Sequence, residues 1–389
     1  MAKMMVAFLP WCPIDKEYSM DGIKLTPYSR SDLTEEINNL GLKGADKIFD
    51  IYRDLKNQPV EKIALVEYQG EIFFNNFESQ LFEISELIEL ACFTALSKRN
   101  FFDGSNYCNR DHFTLYIQKF KIPLEGITFE TPLVRGAGNK LSFCDELDKL
   151  SITMPEHIGL AGVKTISLAE DLLKGLLNLR KKLINTDSKG WKRWQEWISA
   201  IECFNWANTD KVNLPYAIEW VLMAGAFEKI LDAESEAENV AEKFKKVIEP
   251  LKDYYPANGF KRKSNKFKSF PLRQEWMREF YRLRGNLAHG SLTPKQPDMA
   301  WKVNEHLTLA RIAFPLVVKV LLEEEGLYHL TEEDRVYISA FEEIADLDFL
   351  EENKREEIVE LIENYYWSLI YNDVKQILKR KYLSGEDEK

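Results

Sequence analysis

The segment that most constrains the fold is PYAIEWVLMAGAFEKIL, which begins at Pro215. Proline suits the first turn of a helix, and the residues from Tyr216 to Phe227 are apolar around nearly the whole helical circumference. A helix without a polar face should lie buried at the centre of other helices. Glu219 and Glu228 interrupt it, and burying a bare carboxylate is costly. Each must therefore be paired or line a site, with helix-end solvation as the alternative for Glu228.

The flanking segments are predicted to form the helices around it. Apolar residues recur at helical spacing in SLAEDLLKGLLNLRKKL and WKRWQEWISAIECFNWAN. Trp191, Trp194 and Trp197 form a stripe in the second of these, for which core packing is favoured over base binding. A later helix is predicted to end at Gly290, and the long helix after it contains Pro315.

The pattern before residue 165 is different. Candidate strands are MMVAFLPW, KIALVEYQGEIFF, HFTLYIQKF and ITFETPLV, with helical segments SDLTEEINNLGL and ESQLFEISELIELACFTALS between them. We predict an α+β N-terminal domain over residues 1–165, followed by a mostly α-helical bundle over 166–330. An acidic helical extension, 331–389, is predicted to pack on that bundle.

Composition narrows the function. The chain has 389 residues, consistent with two to three domains, and a net charge of −11, which counts against a protein that coats nucleic acid. Five scattered cysteines favour neither a disulfide framework nor a zinc site, so we expect no metal and no cofactor. The most apolar later segment carries Arg311 and Lys319, and no secretory signal is visible. We therefore expect a soluble, cytoplasmic protein with no membrane partner.

One region of this acidic chain is strongly basic. Between Lys261 and Arg284 there are nine basic residues, opposed only by Glu275 and Glu279, and phenylalanines interleave with the lysines. Such a segment can hold phosphates and stack on unpaired bases, although a solvated loop without a ligand is the alternative. The predicted RNA-binding residues are Lys261, Arg262, Lys263, Lys266, Lys268, Arg278 and Arg282.

The stretch FYRLRGNLAHG, from Phe280 to Gly290, ends the helix that follows this segment. One apolar stripe runs along it at spacings of four, three and four: Trp276, Phe280, Leu283 and Leu287. His289 lies about 160° from Leu287 around the helix axis, so it points away from the core. Asn286 is its neighbour one turn back, and Arg282 shares that face two turns back.

Arg284 lies about 140° from His289 around the axis and about 7.5 Å along it. One helix does not easily bring these two heads together. Either the arginine reaches around, or a second copy of the chain completes the site. A simpler alternative is that the helix dipole favours cations near a C-terminus whether or not they bind anything.

The spacing of Arg284 and His289 resembles the R-x4–6-H motif of HEPN domains, especially of Apea-like HEPN proteins. The upstream FNWANTDK and LPYAIEWVLMAGAFEKIL, with Ala226–Glu228 as an "A-[LF]-E" element, also resemble that family. The likeness covers roughly residues 170–330. It implies a HEPN-like helical bundle that forms a homodimer with the two motifs facing each other. Many relatives carry Asn, Asp or His after the motif arginine, whereas this chain has Gly285.

The resemblance implies a metal-independent endoribonuclease of anti-phage defence or toxin-like growth restriction, with tRNA as one possible substrate. Arg284 and His289 would be catalytic, with Asn286 and Glu228 as further candidates. A histidine can exchange protons near neutral pH, and an arginine fork matches a phosphate. The expected products carry 2′,3′-cyclic phosphate and 5′-OH ends. The alternatives are a catalytically inactive HEPN-like dimer that binds RNA or protein, and a scaffold dimer that binds no RNA.

Overall fold

The computed structural model describes residues 3–32, 35, 47–54, 56–74, 81–98, 108–121, 127–130, 141–143, 152–153, 165–209, 214–250, 271–288, 299–346 and 374–382. The chain divides into two compact units. The first consists of Met1–Arg99, Asn106–Leu173 and Asn208–Val212, and the second of Asn100–Ser105, Lys174–Ala207 and Asn213–Lys389. The return of the chain to the first unit at Asn208–Val212 was not indicated by the sequence pattern. The predicted boundaries at 165 and 330 stay predictions.

The first unit is built on a sheet. Its strands are β1 (Lys3–Leu9), β2 (Tyr18–Met20), β3 (Ile23–Ser29), β4 (Tyr52–Arg53), β5 (Lys62–Tyr68), β6 (Phe73–Phe74), β7 (Tyr116–Lys121), β8 (Ile127–Glu130), β9 (Leu141–Phe143) and β10 (Ile152–Thr153). The main sheet has the order β2-β3-β5-β1-β7-β8-β9, all antiparallel, and β6 also pairs with β1. The strands β4 and β10 form a separate parallel pair.

The centre of this sheet is β1, which pairs with β5 on one side and β7 on the other, with Ala7 opposite Val66 and Phe8 opposite Tyr116. The residues from Val6 to Leu9 are all buried, and a run without polar alternation is typical of a strand covered on both faces. The helices of this unit are α1 (Lys47–Asp50) and α2 (Leu81–Leu96), with a 3-10 turn at Arg110–Phe113. The coarse α+β prediction is confirmed for this part of the chain.

Every regular element that the structure describes in the second unit is a helix. Its helices are α3 (Glu170–Ile184, whose first residues belong to the first unit), α4 (Ser188–Trp206), α5 (Tyr216–Ile230), α6 (Ala237–Val247), α7 (Leu272–Ala288), α8 (Val303–Glu324) and α9 (Glu332–Asp346), with a last segment at 374–382. The prediction of a mostly helical C-terminal part is therefore confirmed. The long helix α8 continues through Pro315, and α9 packs on α7 and α8.

The apolar helix α5 packs against α4, α7 and α8. Its Trp220 stacks on Phe280 of α7 with ring centroids 5.1 Å apart and donates its indole N–H to the Phe280 carbonyl at 3.0 Å. Glu219 is compensated by Arg311 of α8 at 2.5 Å. The expectation of burial all round is wrong at Ile218, which is 48% exposed. The neighbouring helices cover only part of the circumference of α5. The apolar pattern of one helix does not show how many of its sides the neighbouring helices cover.

Tryptophans fill much of the core of this unit. Those that are fully buried are Trp194, Trp220, Trp276 and Trp301. In the stripe on α4, Trp194 and Trp197 are buried as core packing predicts, whereas Trp191 is 44% exposed. The helix α7 thus contributes Trp276 and Phe280 to a core shared with α5, α8 and α9.

Candidate functional site

The predicted site residues fall into two groups. The structure describes Glu228, Arg278, Arg282, Arg284 and Asn286. The remaining predicted residues lie outside the described ranges, so their roles stay predictions: His289, Lys261, Arg262, Lys263, Lys266 and Lys268.

The rotation of α7 is fixed by its apolar stripe. Trp276, Phe280 and Leu283 are fully buried, and Leu287 is 7% exposed. This confirms the predicted stripe. The opposite side of the last two turns is open, because Arg282 and Asn286 are exposed. Gly285 lies on this open side, and a Cβ built on it would meet nothing within 4 Å.

Arg284 projects from a different side of α7 and pairs with Glu228 near the end of α5. Its Nη1 donates to Oε2 of Glu228 and, at 2.7 Å, to the hydroxyl oxygen of Tyr281. The Tyr281 hydroxyl donates to the same carboxylate oxygen. Ser235, just beyond α5, donates to the other oxygen, Oε1, at 2.5 Å. Glu228 is therefore paired, which is one of the outcomes that the sequence left open beside solvation at the helix end.

The guanidinium of Arg284 also lies over the Tyr281 ring, with Cζ 4.7 Å from the ring centroid. This is the geometry of a cation–π contact, and it follows from the i, i+3 spacing of the two residues on α7. The arginine is held from two sides, by a charge at one nitrogen and by an aromatic face beneath its plane.

The network fixes the charge state of its members. Burial alone would raise the pKa of Glu228, but hydrogen bonds from Ser235 and Tyr281 and the charge of Arg284 outweigh it and lower that pKa. Burial, followed by the hydrogen bond to Glu228, raises the pKa of Tyr281 to about 12. At neutral pH the carboxylate is thus an anion and the phenol is neutral. A general base works best with a pKa near 7, so Glu228 is better suited to orient Arg284 than to exchange a proton.

Part of the Arg284 head remains available. Among the described residues, its hydrogen bonds and ion pair all use Nη1. The side chain is 28% exposed. The Nε–Nη2 edge has two parallel N–H groups, which is the edge that binds phosphate or carboxylate in a bidentate manner. The arrangement can therefore bind one oxyanion without breaking the contacts that hold the arginine.

The two other predicted arginines of α7 differ in environment. Arg278 holds Glu238 of α6 through Nε and Nη2, both at 2.7 Å, and also contacts Glu275. Hydrogen bonding from Arg278 is the main cause of the lowered pKa of Glu238. Arg282 is exposed and makes no ion pair with any residue that the structure describes. Arg282 is therefore the better placed of the two to meet a ligand, whereas Arg278 joins α6 to α7.

Sequence reasoning missed Glu279, which it treated only as a charge opposing the basic run. This buried carboxylate accepts the backbone N–H groups of Ala300 and Trp301, each at 3.0 Å, and contacts Nε2 of His306 at 3.2 Å. Burial would raise the pKa of Glu279, but His306 and the two N–H groups lower it overall. Its position was readable in principle, because Glu279 follows Trp276 by three and precedes Leu283 by four on the apolar stripe.

His306 is completely buried among aromatic rings, with Trp220 nearest at 4.8 Å between centroids. It lies in the core of the unit. Glu279 and His306 together fix the start of α8 against α7. The connection between these two helices contains His289, which lies outside the described residues.

Within the described ranges, no group of three or more His, Cys, Asp and Glu side chains is arranged to hold a metal ion. No helix in those ranges is both long and apolar enough to cross a membrane. No family model, curated protein or solved structure matches this chain.

Proposed function

We propose that the protein is a metal-independent endoribonuclease of HEPN type. The observation that carries the proposal is the held arginine: the hydrogen bonds from Arg284 to Glu228 and Tyr281 both use Nη1. No residue that the structure describes forms a hydrogen bond with its Nε–Nη2 edge, and this edge would bind a phosphate of the RNA backbone. Arg284 is the motif arginine of the HEPN resemblance, so the geometry and the sequence motif point to the same residue.

In this mechanism Arg284 binds the scissile phosphate and stabilises the charge that builds up on its oxygens. His289 exchanges protons with the attacking 2′-OH or the leaving 5′-oxygen, and Asn286 orients one of these groups. The 2′-oxygen forms the new bond to phosphorus as the bond to the 5′-oxygen breaks. The products are a 2′,3′-cyclic phosphate and a 5′-OH end, and no metal or cofactor takes part.

The predicted basic segment and the exposed Arg282 would bind the RNA backbone on either side of the cut. A homodimer, in which two copies of α7 face one cleft, would supply Arg284 from one copy and His289 from the other. Anti-phage defence or toxin-like growth restriction is the biological setting that the HEPN resemblance favours, with tRNA as one candidate substrate.

The proposal is tested by incubating the full-length protein with total RNA in EDTA. Wild type should cut the RNA, whereas Arg284→Ala and His289→Ala should cut it at least about a hundredfold more slowly. Matched controls are Arg335→Ala and His329→Ala, which remove an exposed arginine and an exposed histidine outside α7. Absence of cleavage by wild type, or cleavage that survives both site substitutions, would remove the catalytic assignment.

A second function is a catalytically inactive HEPN-like dimer that binds RNA or a protein. The ion pair between Arg284 and Glu228 favours it, because the charge of the motif arginine is already partly compensated. Gly285 in place of a polar residue favours it as well. The same assay distinguishes the two functions: RNA bound with equal affinity by wild type and His289→Ala, with no product, identifies the binding protein.

A further inference from the structure

Tyr281 precedes Arg284 by one helical turn and contacts it twice. The hydroxyl oxygen accepts from Nη1 at 2.7 Å, and the ring face lies under the guanidinium at 4.7 Å from Cζ. The same hydroxyl donates to Glu228, so the three side chains close a triangle around Nη1. Each member of this triangle touches both of the others.

The triangle of Tyr281, Arg284 and Glu228 is not needed to hold α5 and α7 together. The helices α5 and α7 are already joined by the buried contact of Trp220 with Phe280, which combines ring stacking with a hydrogen bond of 3.0 Å. The Arg284 and Glu228 side chains are 28% and 23% exposed, and ion pairs this close to solvent add little to stability. The geometry instead holds Nη1 on Glu228 and Tyr281, so that within the described residues the Nε–Nη2 edge forms no hydrogen bond.

We infer that Tyr281 is a positioning residue for Arg284, which it holds together with Glu228 so that the Nε–Nη2 edge is presented to an RNA phosphate. This inference rests on the proposed function and extends it to a residue outside the Arg–His motif. The ring restricts the tilt of the guanidinium, and the hydroxyl restricts its rotation in the plane. Ser235 restrains the carboxylate through its other oxygen.

The alternative to positioning, in which Glu228 and Tyr281 block Arg284, can be tested with the same variants. If Glu228 and Tyr281 instead occupy Arg284 and keep it from the RNA, loosening them would strengthen binding. The sign of the effect of Tyr281→Phe therefore separates positioning from occlusion. This substitution keeps the ring under the guanidinium and removes only the hydroxyl, so the packing of α7 should be retained.

The test is a double-mutant cycle with wild type, Tyr281→Phe, Arg284→Ala and the double variant. Three quantities are measured: kcat and KM for RNA cleavage, and Kd for the same oligonucleotide with a 2′-deoxy residue at the cut site. Because a hydrogen bond to a charged group is lost, Tyr281→Phe should lower kcat about tenfold while KM changes less than about twofold. In the Arg284→Ala background the same change should have no further effect.

Tyr382→Phe, on the segment 374–382, is the matched control and should leave kcat, KM and Kd unchanged. An equal loss in both backgrounds would show that the hydroxyl acts independently of Arg284 and would overturn the inference. A gain in RNA affinity or rate would overturn it in favour of occlusion. Thermal unfolding of each variant is measured alongside, and a loss explained by unfolding would count against positioning.

Failure of the nuclease proposal would be seen separately. If wild type cleaves no RNA, the cycle is read from the Kd of the 2′-deoxy oligonucleotide alone. A several-fold weakening by Tyr281→Phe that requires Arg284 would then support positioning in a binding protein. Binding that does not depend on Arg284, or no binding, would overturn the inference.

Discussion

Glu279 of α7 and His306 of α8 meet in the buried core of the second unit, with Oε1 3.2 Å from Nε2. The same carboxylate accepts the backbone N–H groups of Ala300 and Trp301, directly before α8. One side chain thus joins the two helices whose connection contains His289. The helix α7, which carries the candidate site, is therefore anchored by a buried polar contact in the core of the unit.

Glu279→Gln should destabilise the protein by about 1–3 kcal/mol, because the amide keeps an acceptor for the N–H groups but loses the charge facing His306. The measurement is the free energy of unfolding in urea. Glu324→Gln, at an exposed position near the end of α8, is the control and should change it by less than about 0.5 kcal/mol. Equal effects of the two substitutions would contradict the role assigned to Glu279.

The buried carboxylate of Asp334 predicts how the stability of the protein changes at acidic pH. Burial would raise its pKa, but Lys319 at 2.5 Å and hydrogen bonds from Thr331 lower it overall. A carboxylate whose pKa is lower in the folded state stabilises the fold above its unfolded pKa of about 3.9, and this contribution is lost as the pH falls through the folded value. The stability gap between wild type and Asp334→Asn should therefore be large at pH 7 and shrink below about pH 4. A gap independent of pH would exclude this linkage.

Gly285→Ala should stabilise the protein by about 1 kcal/mol, because alanine is the better helix former and the added Cβ meets nothing within 4 Å. Gly175→Ala on α3 is the contrasting control. There the Cβ would lie 2.8 Å from the Leu327 carbonyl oxygen, so the same change should destabilise. The melting temperatures of the two variants should shift in opposite directions, and a fall for Gly285→Ala would mean that this part of α7 is not open.

Arg282 and Arg278 should respond differently when replaced by alanine. Arg282 is exposed, so its loss should weaken RNA binding and reduce the slope of log K against log salt by about one. Arg278 is paired with Glu238 and Glu275, so its loss should chiefly lower stability. Fluorescence anisotropy with one RNA at several salt concentrations measures both slopes. A larger slope change for Arg278→Ala would reverse the assignment.

Local periodicity predicted the parts of the fold that depend on one segment. The stripe through Trp276, Phe280 and Leu283 set the rotation of α7, and the apolar run placed α5 among other helices. The exposure of Ile218 was not predictable, because it depends on where the neighbouring helices stop rather than on α5 itself.

Contacts across the chain were the part that the sequence could not give. At Glu228 the sequence left both a partner and solvation at the helix end open. The partner of Glu228 depends on how α5 packs on α7, because Arg284 lies more than 50 residues from Glu228 in the sequence. The contact of Tyr281 with Glu228 could not be predicted for the same reason. The sequence also does not show that the ring of this buried tyrosine lies against the guanidinium of Arg284.

The most direct test of the central claim is the rate at which one defined RNA is cut in EDTA by wild type and by Arg284→Ala. The ends of the products should be identified by mass spectrometry. We predict 2′,3′-cyclic phosphate and 5′-OH ends from wild type, a rate at least about a hundredfold lower for Arg284→Ala, and an unchanged rate for Arg335→Ala. Cleavage by Arg284→Ala at the wild-type rate would contradict the account.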